Sequence, residues 1–396
     1  MANTSTYDVA IIGLGAMGSA AAYHLARRGK RVLGLDRFRP PHVLGSSHGR
    51  TRIIREAYFE HPLYVPLVQR AYECWAELER ESKRGLLRVT GGLMIGPAQG
   101  VLVPGARRSA LEHGIAFEEL SAGEIHRRFP AFRPDEAVSG VLEPRAGVLF
   151  PEACLEACLE LAVGYGADLR LEQPAERWEV DGDEVVVTTA KGVRRAGRLI
   201  LAAGPWTNGA LARIALPLSI ERQVAFWFQP AAHPEHFRPD RCPIYMWEWT
   251  PGRFFYGFPD LGDGIKAARH HEGETTDPEA VRREVAPDEV EAMRGFLETH
   301  VPDANGPLVE TATCLYTNTP DDHFVLDFHP EHPQVVIASP CSGHGFKFAS
   351  VIGEILADLV TVGKSQFDLS PFRIQRLLAP SPPPSLSRIA GEGERV

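Results

Sequence analysis

Asp8-Val-Ala-Ile-Ile-Gly-Leu-Gly-Ala-Met-Gly18, followed by a helix-forming run and then Arg31-Val-Leu-Gly-Leu-Asp36, is the stretch that decides the fold. Val9 to Ile12 form a short apolar run, the pattern of a buried strand. Gly13, Gly15 and Gly18 follow it directly as G-x-G-x-x-G. The first glycine permits a tight turn, the second a close backbone approach to a pyrophosphate, and the third close packing of helix on strand. Ala20, Ala21, Ala22, Leu25 and Ala26 then predict a helix that stops near Gly29, with its N-terminal N–H groups and dipole free to hold a diphosphate. Asp36 closes the second strand about 20 residues beyond the glycines, where a carboxylate accepts hydrogen bonds from an adenosine ribose. Strand, turn, helix and acid together predict a bound dinucleotide. They do not separate NAD from FAD.

The chain has 396 residues, more than one compact core organises, so two domains are expected. A net charge of −9 argues against a nucleic-acid surface. No apolar run reaches the roughly 18 residues of a membrane helix. The first strand begins after a few polar residues, which leaves no room for a signal peptide and predicts a cytoplasmic protein. The six cysteines are scattered, so a disulfide framework is not expected. Cys154 and Cys158 stand four apart in a helical stretch, but no further ligands complete a metal site there. They read as a buried helix face, and no metal is expected.

Beyond Asp36, Gly45-Ser-Ser-His-Gly-Arg-Thr-Arg-Ile-Ile-Arg55 carries three arginines. Arg50 reads as part of a solvated turn. Ile53 and Ile54 pull Arg52 and Arg55 inward, where a guanidinium needs a carboxylate or a cofactor. Pro66 to Arg84 has helical apolar spacing and reads as scaffold. A second buried strand, Arg198 to Ala203, runs into a turn at Gly204. Contiguous βαβ repeats would be expected of a doubly wound NAD enzyme. Here the dinucleotide domain is left, re-entered near 147 and left again near 215, an interleaving more typical of FAD-containing oxidases.

From 216 to 324 the chain is rich in strands and aromatic residues, which predicts an antiparallel sheet whose rings are mostly core. Lys266, between Ile265 and Ala267, is a candidate buried cation, and His270 follows it closely. Near the C-terminus, a strand (Gln334 to Ser339), a Gly343-His-Gly345 turn and an amphipathic helix place another helix N-terminus at the carboxyl edge of the sheet. Its dipole would stabilise negative charge on a flavin's pyrimidine end.

These residues together resemble the family of monomeric sarcosine oxidase and N-methyltryptophan oxidase, with pipecolate oxidases as close relatives. The resemblance runs from Tyr7 to about Arg376. Its most specific stretches are Thr51-Arg-Ile-Ile-Arg, Cys314-Leu-Tyr-Thr and Ser342-Gly-His-Gly-Phe-Lys-Phe. It implies a mixed α/β chain of two domains. Residues 1–85, 145–215 and 325–376 would form a Rossmann-like FAD-binding domain. Residues 86–144 and 216–324 would form a substrate domain on an antiparallel sheet, and 377–396 a disordered tail.

The resemblance also implies roles. FAD would be joined through its 8α-methyl group to Cys314, with Cys341 a nearby rival attachment point. Gly13, Gly15, Gly18, Asp36, Ser46, Thr51, Arg52, Gly204, Gly343, Gly345, Phe346 and Lys347 would contact the cofactor. Arg55 and Lys347 would clamp a substrate carboxylate beside Tyr316. Tyr256 and His270 would line the amine end, Arg52 would lie against the flavin, and Lys266 would sit near flavin N5 to activate oxygen. The implied activity is oxidation of a small secondary amino acid by a monomer, with sarcosine and O2 as leading substrates. A bulkier or cyclic amine is the alternative within the class. An NAD-dependent dehydrogenase or a non-catalytic flavoprotein is the alternative outside it.

Overall fold

A computed structural model describes residues 7–211 and 214–378. Strand β1 (Tyr7–Ile12), helix α1 (Ala16–Arg27) and strand β2 (Val32–Leu35) form the expected βαβ unit. β1 lies between β2 and the strand Gly192–Leu201, parallel to both. Asp168–Arg170 extends the parallel core beyond β2, and Val335–Ser339 extends it beyond Gly192–Leu201. The antiparallel pair Arg177–Asp181 and Glu184–Thr189, and the strand Val325–Phe328, complete an eight-stranded sheet.

Alternation along β1 decides the two faces. Val9 and Ile11 join the core with α1, Pro151–Gly164 and Ala349–Val362, while Ala10 joins the core on the opposite face. Cys154 and Cys158 are both buried in that helix layer, and burial pushes the Cys158 thiol up to about 12. A Cβ on Gly353 would come within 2.5 Å of the Ala20 carbonyl carbon, so two small residues let Ala349–Val362 cross α1 closely.

The second sheet has nine strands. It gathers Gly92–Pro97, Glu118–Ser121 and Val138–Glu143 from the region before residue 144, and the strands between 219 and 318 from the region after. One expectation needs correcting, since this sheet is not wholly antiparallel. Ile244–Thr250 runs parallel to Gly92–Pro97, in the register Tyr245↔Leu93, because the chain re-enters the sheet beside a strand laid down about 150 residues earlier. A third, three-stranded sheet joins Arg52–Ile54, Gly147–Leu149 and Leu87–Val89. The pull of Ile53 and Ile54 is thus realised as an edge strand. The anticipated tail falls largely outside the described residues. Its first two positions, 377 and 378, instead close the short helix Gln375–Leu378.

Candidate active site

Period-2 alternation in the second sheet sorts chemistry from core. Tyr245, Trp247, Phe255, Ile265, Ala267, Phe226 and Phe228 pack together on one face. Met246, Tyr256, His270, Cys314 and Tyr316 instead line a cavity of about 420 Å³. The opposite wall of that cavity is the carboxyl edge of the parallel sheet. It brings in Gly13, Gly15, Asp36, Ser46, Arg52, Arg55, Gly204, Gly343, Gly345, Phe346 and Lys347, all singled out from the sequence.

Three singled-out residues lie outside the lining of this cavity. Gly18 packs under the first turn, where a Cβ would fall 1.8 Å from the Gly13 carbonyl oxygen. Thr51 and Lys266 line a separate cavity of about 110 Å³. Lys266 Nζ donates to the carbonyls of Gly49 (2.6 Å) and Thr51 (3.0 Å) and to Thr51 Oγ1 (3.0 Å). It also faces the rings of Trp227 and Phe258 at 5.1 and 5.0 Å. Burial first, and then Arg52, hold its pKa well below the ordinary lysine value.

At the dinucleotide end, Gly13 has φ +92° and a Cβ there would lie 2.4 Å from Ala202 O, so the turn requires glycine. Gly15 has no side chain to cap α1; Ala16 N–H donates to Ser47 Oγ at 3.2 Å, and the remaining N–H groups of the first turn are left for a ligand anion. A Cβ on Gly15 would meet only Ser47 Oγ and would otherwise intrude on the cavity. Asp36 accepts from Leu14 N–H (2.6 Å) and Phe38 N–H (2.7 Å), which leaves each oxygen a lone pair for a sugar hydroxyl. Burial raises its pKa despite these two bonds. A largely uncapped helix, a glycine cradle and a held carboxylate fit a dinucleotide.

Midway along the cavity, Arg52 Nη2 donates to Ser46 O (2.8 Å) and lies 3.5 Å from Cys314 Sγ. Its Nη1 donates to Thr51 O, and its guanidinium lies 5.9 Å from the Phe346 ring centroid. Ser46 Oγ donates to Leu315 O (2.6 Å) and ties this loop to the Cys314 strand. Cys341 also reaches the cavity, but burial pushes its thiol up to about 11.

The far end carries two cations. Arg55 is buried over the rings of Tyr58 (4.6 Å) and Phe59 (4.8 Å). Its Nη1 donates to Ala57 O, and its Nε is buried without a hydrogen bond. Nη2 meets both oxygens of Glu60, at 2.8 and 2.7 Å. Burial opposes ionisation of Glu60, but Arg55 first, with Lys347 beside it, outweighs burial and lowers its pKa. Lys347 Nζ donates to His344 O (2.8 Å) and more weakly to Tyr58 Oη (3.5 Å). Burial first, and then Arg55, lower its pKa to about 7.

His344 Nε2 faces Asp322 O, so that nitrogen carries the proton and Nδ1 accepts from the Tyr58 hydroxyl. Burial holds His344 at about 3, and therefore neutral. His270 Nδ1 faces the Tyr316 hydroxyl at 3.4 Å. Burial first, with the nearby cations Lys347 and Arg55 adding to it, holds it well below the ordinary histidine value. Gly343, at φ +75°, leaves room for both rings, since a Cβ would lie 2.7 Å from Tyr316 Cε2 and 3.0 Å from His270 Cε1.

The sequence reading missed Glu60, Tyr58 and His344. For Glu60 a signal existed, because the buried arginines called for a carboxylate and Glu60 stands five residues beyond Arg55. Nothing in the local sequence pointed to the Tyr58–His344 contact, which spans 286 residues.

The fold and the cavity define a flavoprotein oxidoreductase. Residues 8–359 match the family described as FAD dependent oxidoreductase, and the chain belongs to it. Within it the chain falls among the flavin-dependent amine oxidases, beside the monomeric sarcosine oxidases and N-methyl-L-tryptophan oxidase. It is 45% identical to a monomeric sarcosine oxidase of Streptomyces avermitilis over 94% of this chain and 98% of that protein. It is 37% identical to N-methyl-L-tryptophan oxidase of Escherichia coli over 93% of this chain and 99% of that one. Among solved structures, NikD, an amino acid oxidase essential for nikkomycin biosynthesis, superposes with a TM-score of 0.81. The identity there is 28%, over 93% of this chain and 98% of that one. Among the described residues no helix is long and apolar enough to cross a membrane.

Proposed function

We propose that the chain is an oxidase of a small secondary amino acid, with sarcosine the leading substrate. The overall reaction converts sarcosine, water and O2 to glycine, formaldehyde and hydrogen peroxide. The observation that carries this reading is the cavity itself. A dinucleotide cradle at one end is continuous with paired cations and a neutral imidazole at the other.

Bound FAD supplies the two-electron acceptor. Gly13, Gly15 and the start of α1 would hold its diphosphate, and Asp36 its ribose. Cys314 would be its covalent anchor, since Arg52 places positive charge beside that sulfur while the Cys341 thiol stays protonated. Arg55 and Lys347 would clamp the substrate carboxylate, a forked guanidinium together with a point charge. The clamp forms only as the carboxylate displaces Glu60 from Arg55 or shares the guanidinium with it.

Burial and the cations that keep His270 neutral also favour a neutral amine over an ammonium at the adjoining position. With Nδ1 facing Tyr316, Nε2 of His270 is the nitrogen left to take the substrate's proton. Tyr256 and Tyr316 would restrict water and orient the N-methyl group. Lys266 would stand behind Thr51 as the cation for oxygen reduction. The domain division set out from the sequence, a monomeric state and a cytoplasmic location belong to this reading as well.

The test is an amine panel on the purified holoenzyme, with oxygen uptake, peroxide and formaldehyde measured together. Stoichiometric formaldehyde from sarcosine is expected. Faster turnover of N-methyl-L-tryptophan or L-pipecolate would transfer the assignment to a bulkier substrate. A visible flavin band with no oxygen uptake on any amine would overturn it.

A further inference from the structure

A second cluster of ligand-type side chains lies away from the flavin cavity, on the rim of the nine-stranded sheet. His233, His236 and Asp303 each offer one ligand atom, and these atoms lie within 4.8 Å of one another. Among the described residues no other group of three histidine, cysteine or carboxylate ligands converges in this way. None of the three lines the flavin cavity.

The backbone holds the cluster in place without help from an ion. Pro234 starts the short turn Pro234–Phe237, and His236 N–H donates to His233 O at 2.9 Å. The H-x-x-H spacing therefore stacks the two imidazoles, with ring centroids 5.0 Å apart and an interplanar angle of 17°. Asp303 belongs to a second turn, Pro302–Ala304, and its carbonyl accepts Ala231 N–H at 2.7 Å. That bond fixes the two turns against each other.

Both Nδ1 atoms point at one carboxylate oxygen. His233 Nδ1 lies 3.0 Å and His236 Nδ1 3.8 Å from Asp303 Oδ2. A tetrahedral ion with bonds of about 2.0–2.2 Å needs its ligand atoms roughly 3.4 Å apart, a value that these two distances straddle. A second observation points the same way. His236 Nδ1 is buried and has no hydrogen-bond partner. Buried polar nitrogens are nearly always satisfied, and an ion between the two rings and the carboxylate would satisfy this one. His233 adopts φ +47°, a left-handed conformation that costs a non-glycine residue energy and here presents its ring to Asp303.

We propose that His233, His236 and Asp303 bind a divalent transition-metal ion of the zinc class, with water in the remaining position. Two imidazoles and one carboxylate select zinc, copper or nickel over magnesium or calcium, which prefer all-oxygen shells. The ion would staple the loop after strand Ser219–Phe228 to the turn at 302–304. It would add to the stability of the sheet rim and take no part in the flavin reaction.

The experiment uses untagged holoenzyme, stripped with EDTA and exchanged into metal-free buffer, then titrated calorimetrically with ZnCl2. The expected result is one zinc per chain. A rise in melting temperature of about 3 °C is expected at a free zinc concentration 100 times Kd, and none with MgCl2 at the same concentration. His233→Gly is the decisive variant, because glycine relieves the left-handed backbone and the chain should fold at least as well as the parent. It should lose zinc binding and the melting shift, and Asp303→Asn should do the same, while both keep full amine-oxidase activity. Absence of 1:1 binding, binding unchanged in His233→Gly, or an equal shift with MgCl2 would each overturn the proposal.

Discussion

Raising the pH from 6 to 9 should weaken binding of a simple carboxylate to the holoenzyme, and Lys347 is the reason. Its pKa is lowered to about 7 by burial and by Arg55, so the ammonium charge is present below pH 7 and lost above it. A carboxylate docked against Arg55 and Lys347 adds a negative charge and pulls the Lys347 pKa back up. A hydrogen bond to a charged group contributes about 1.5–3 kcal/mol, and one pKa unit corresponds to about 1.4 kcal/mol. The pKa in the complex should therefore lie about 1–2 units above 7. Affinity should be constant below pH 7, fall about tenfold per unit above it, and level off near pH 9 after a total loss of about 10–100-fold.

Acetate suits the measurement, because it has no amine and stays ionised throughout this range. The flavin absorbance reports its binding. His344 and His270 are held well below this window, and Arg55 stays charged across it. In Lys347→Met the profile should be flat, lying below the parent at pH 6 and meeting it near pH 9. A flat profile in the parent, or the same slope in Lys347→Met, would refute the assignment of Lys347 to the clamp.

Arg55→Ala removes the bidentate donor and leaves Glu60 without its guanidinium partner, so kcat/KM for sarcosine should fall by about 100-fold or more at unchanged flavin content. Steady-state oxygen uptake checks this, and unaltered turnover would remove Arg55 from the clamp. Acid precipitation of Cys314→Ser should release yellow colour to the supernatant, while Cys341→Ser should keep it in the pellet; the reverse pattern would move the anchor. Gly343→Ala forces a Cβ to 2.7 Å from Tyr316 Cε2 at a φ of +75°. The variant should lose about 1–3 kcal/mol of stability by thermal melting and show a raised KM from displaced Tyr316 and His270 rings.

Elements whose signal is local were legible in the sequence. The βαβ unit announces itself because its turn needs glycine at Gly13 and its helix crossing needs glycine at Gly18, and neither demand depends on distant residues. Lys266 was legible as a buried cation from its apolar flanks, and the structure finds it buried among three oxygen acceptors. Pairings made across long stretches of chain left no local trace. The parallel pairing of Ile244–Thr250 with Gly92–Pro97 depends on how the chain returns to a sheet already partly built. The edge sheet that carries Arg52 likewise joins segments about 95 residues apart. The H-x-x-H at His233 is short and ordinary as sequence, and only the fold brings Asp303 to it.

Glu60 shows why a site can be half-read from sequence. A buried guanidinium must be neutralised, and two partners compete for Arg55, a fixed carboxylate and an arriving one. The fixed partner neutralises Arg55 without a ligand, and on the proposed clamp it would set the threshold that a substrate carboxylate has to exceed. Lys347 then provides the difference. It stands beside the pair, is only partly charged near neutral pH, and would become fully charged when a second carboxylate is present. With Glu60 alone the proposed clamp is close to electrically balanced, and with substrate added it would take up a proton. On the proposed clamp, selectivity for an amino acid over a simple amine would therefore rest on a charge that forms at binding, which no reading of Arg55 and Lys347 as two permanent cations would contain.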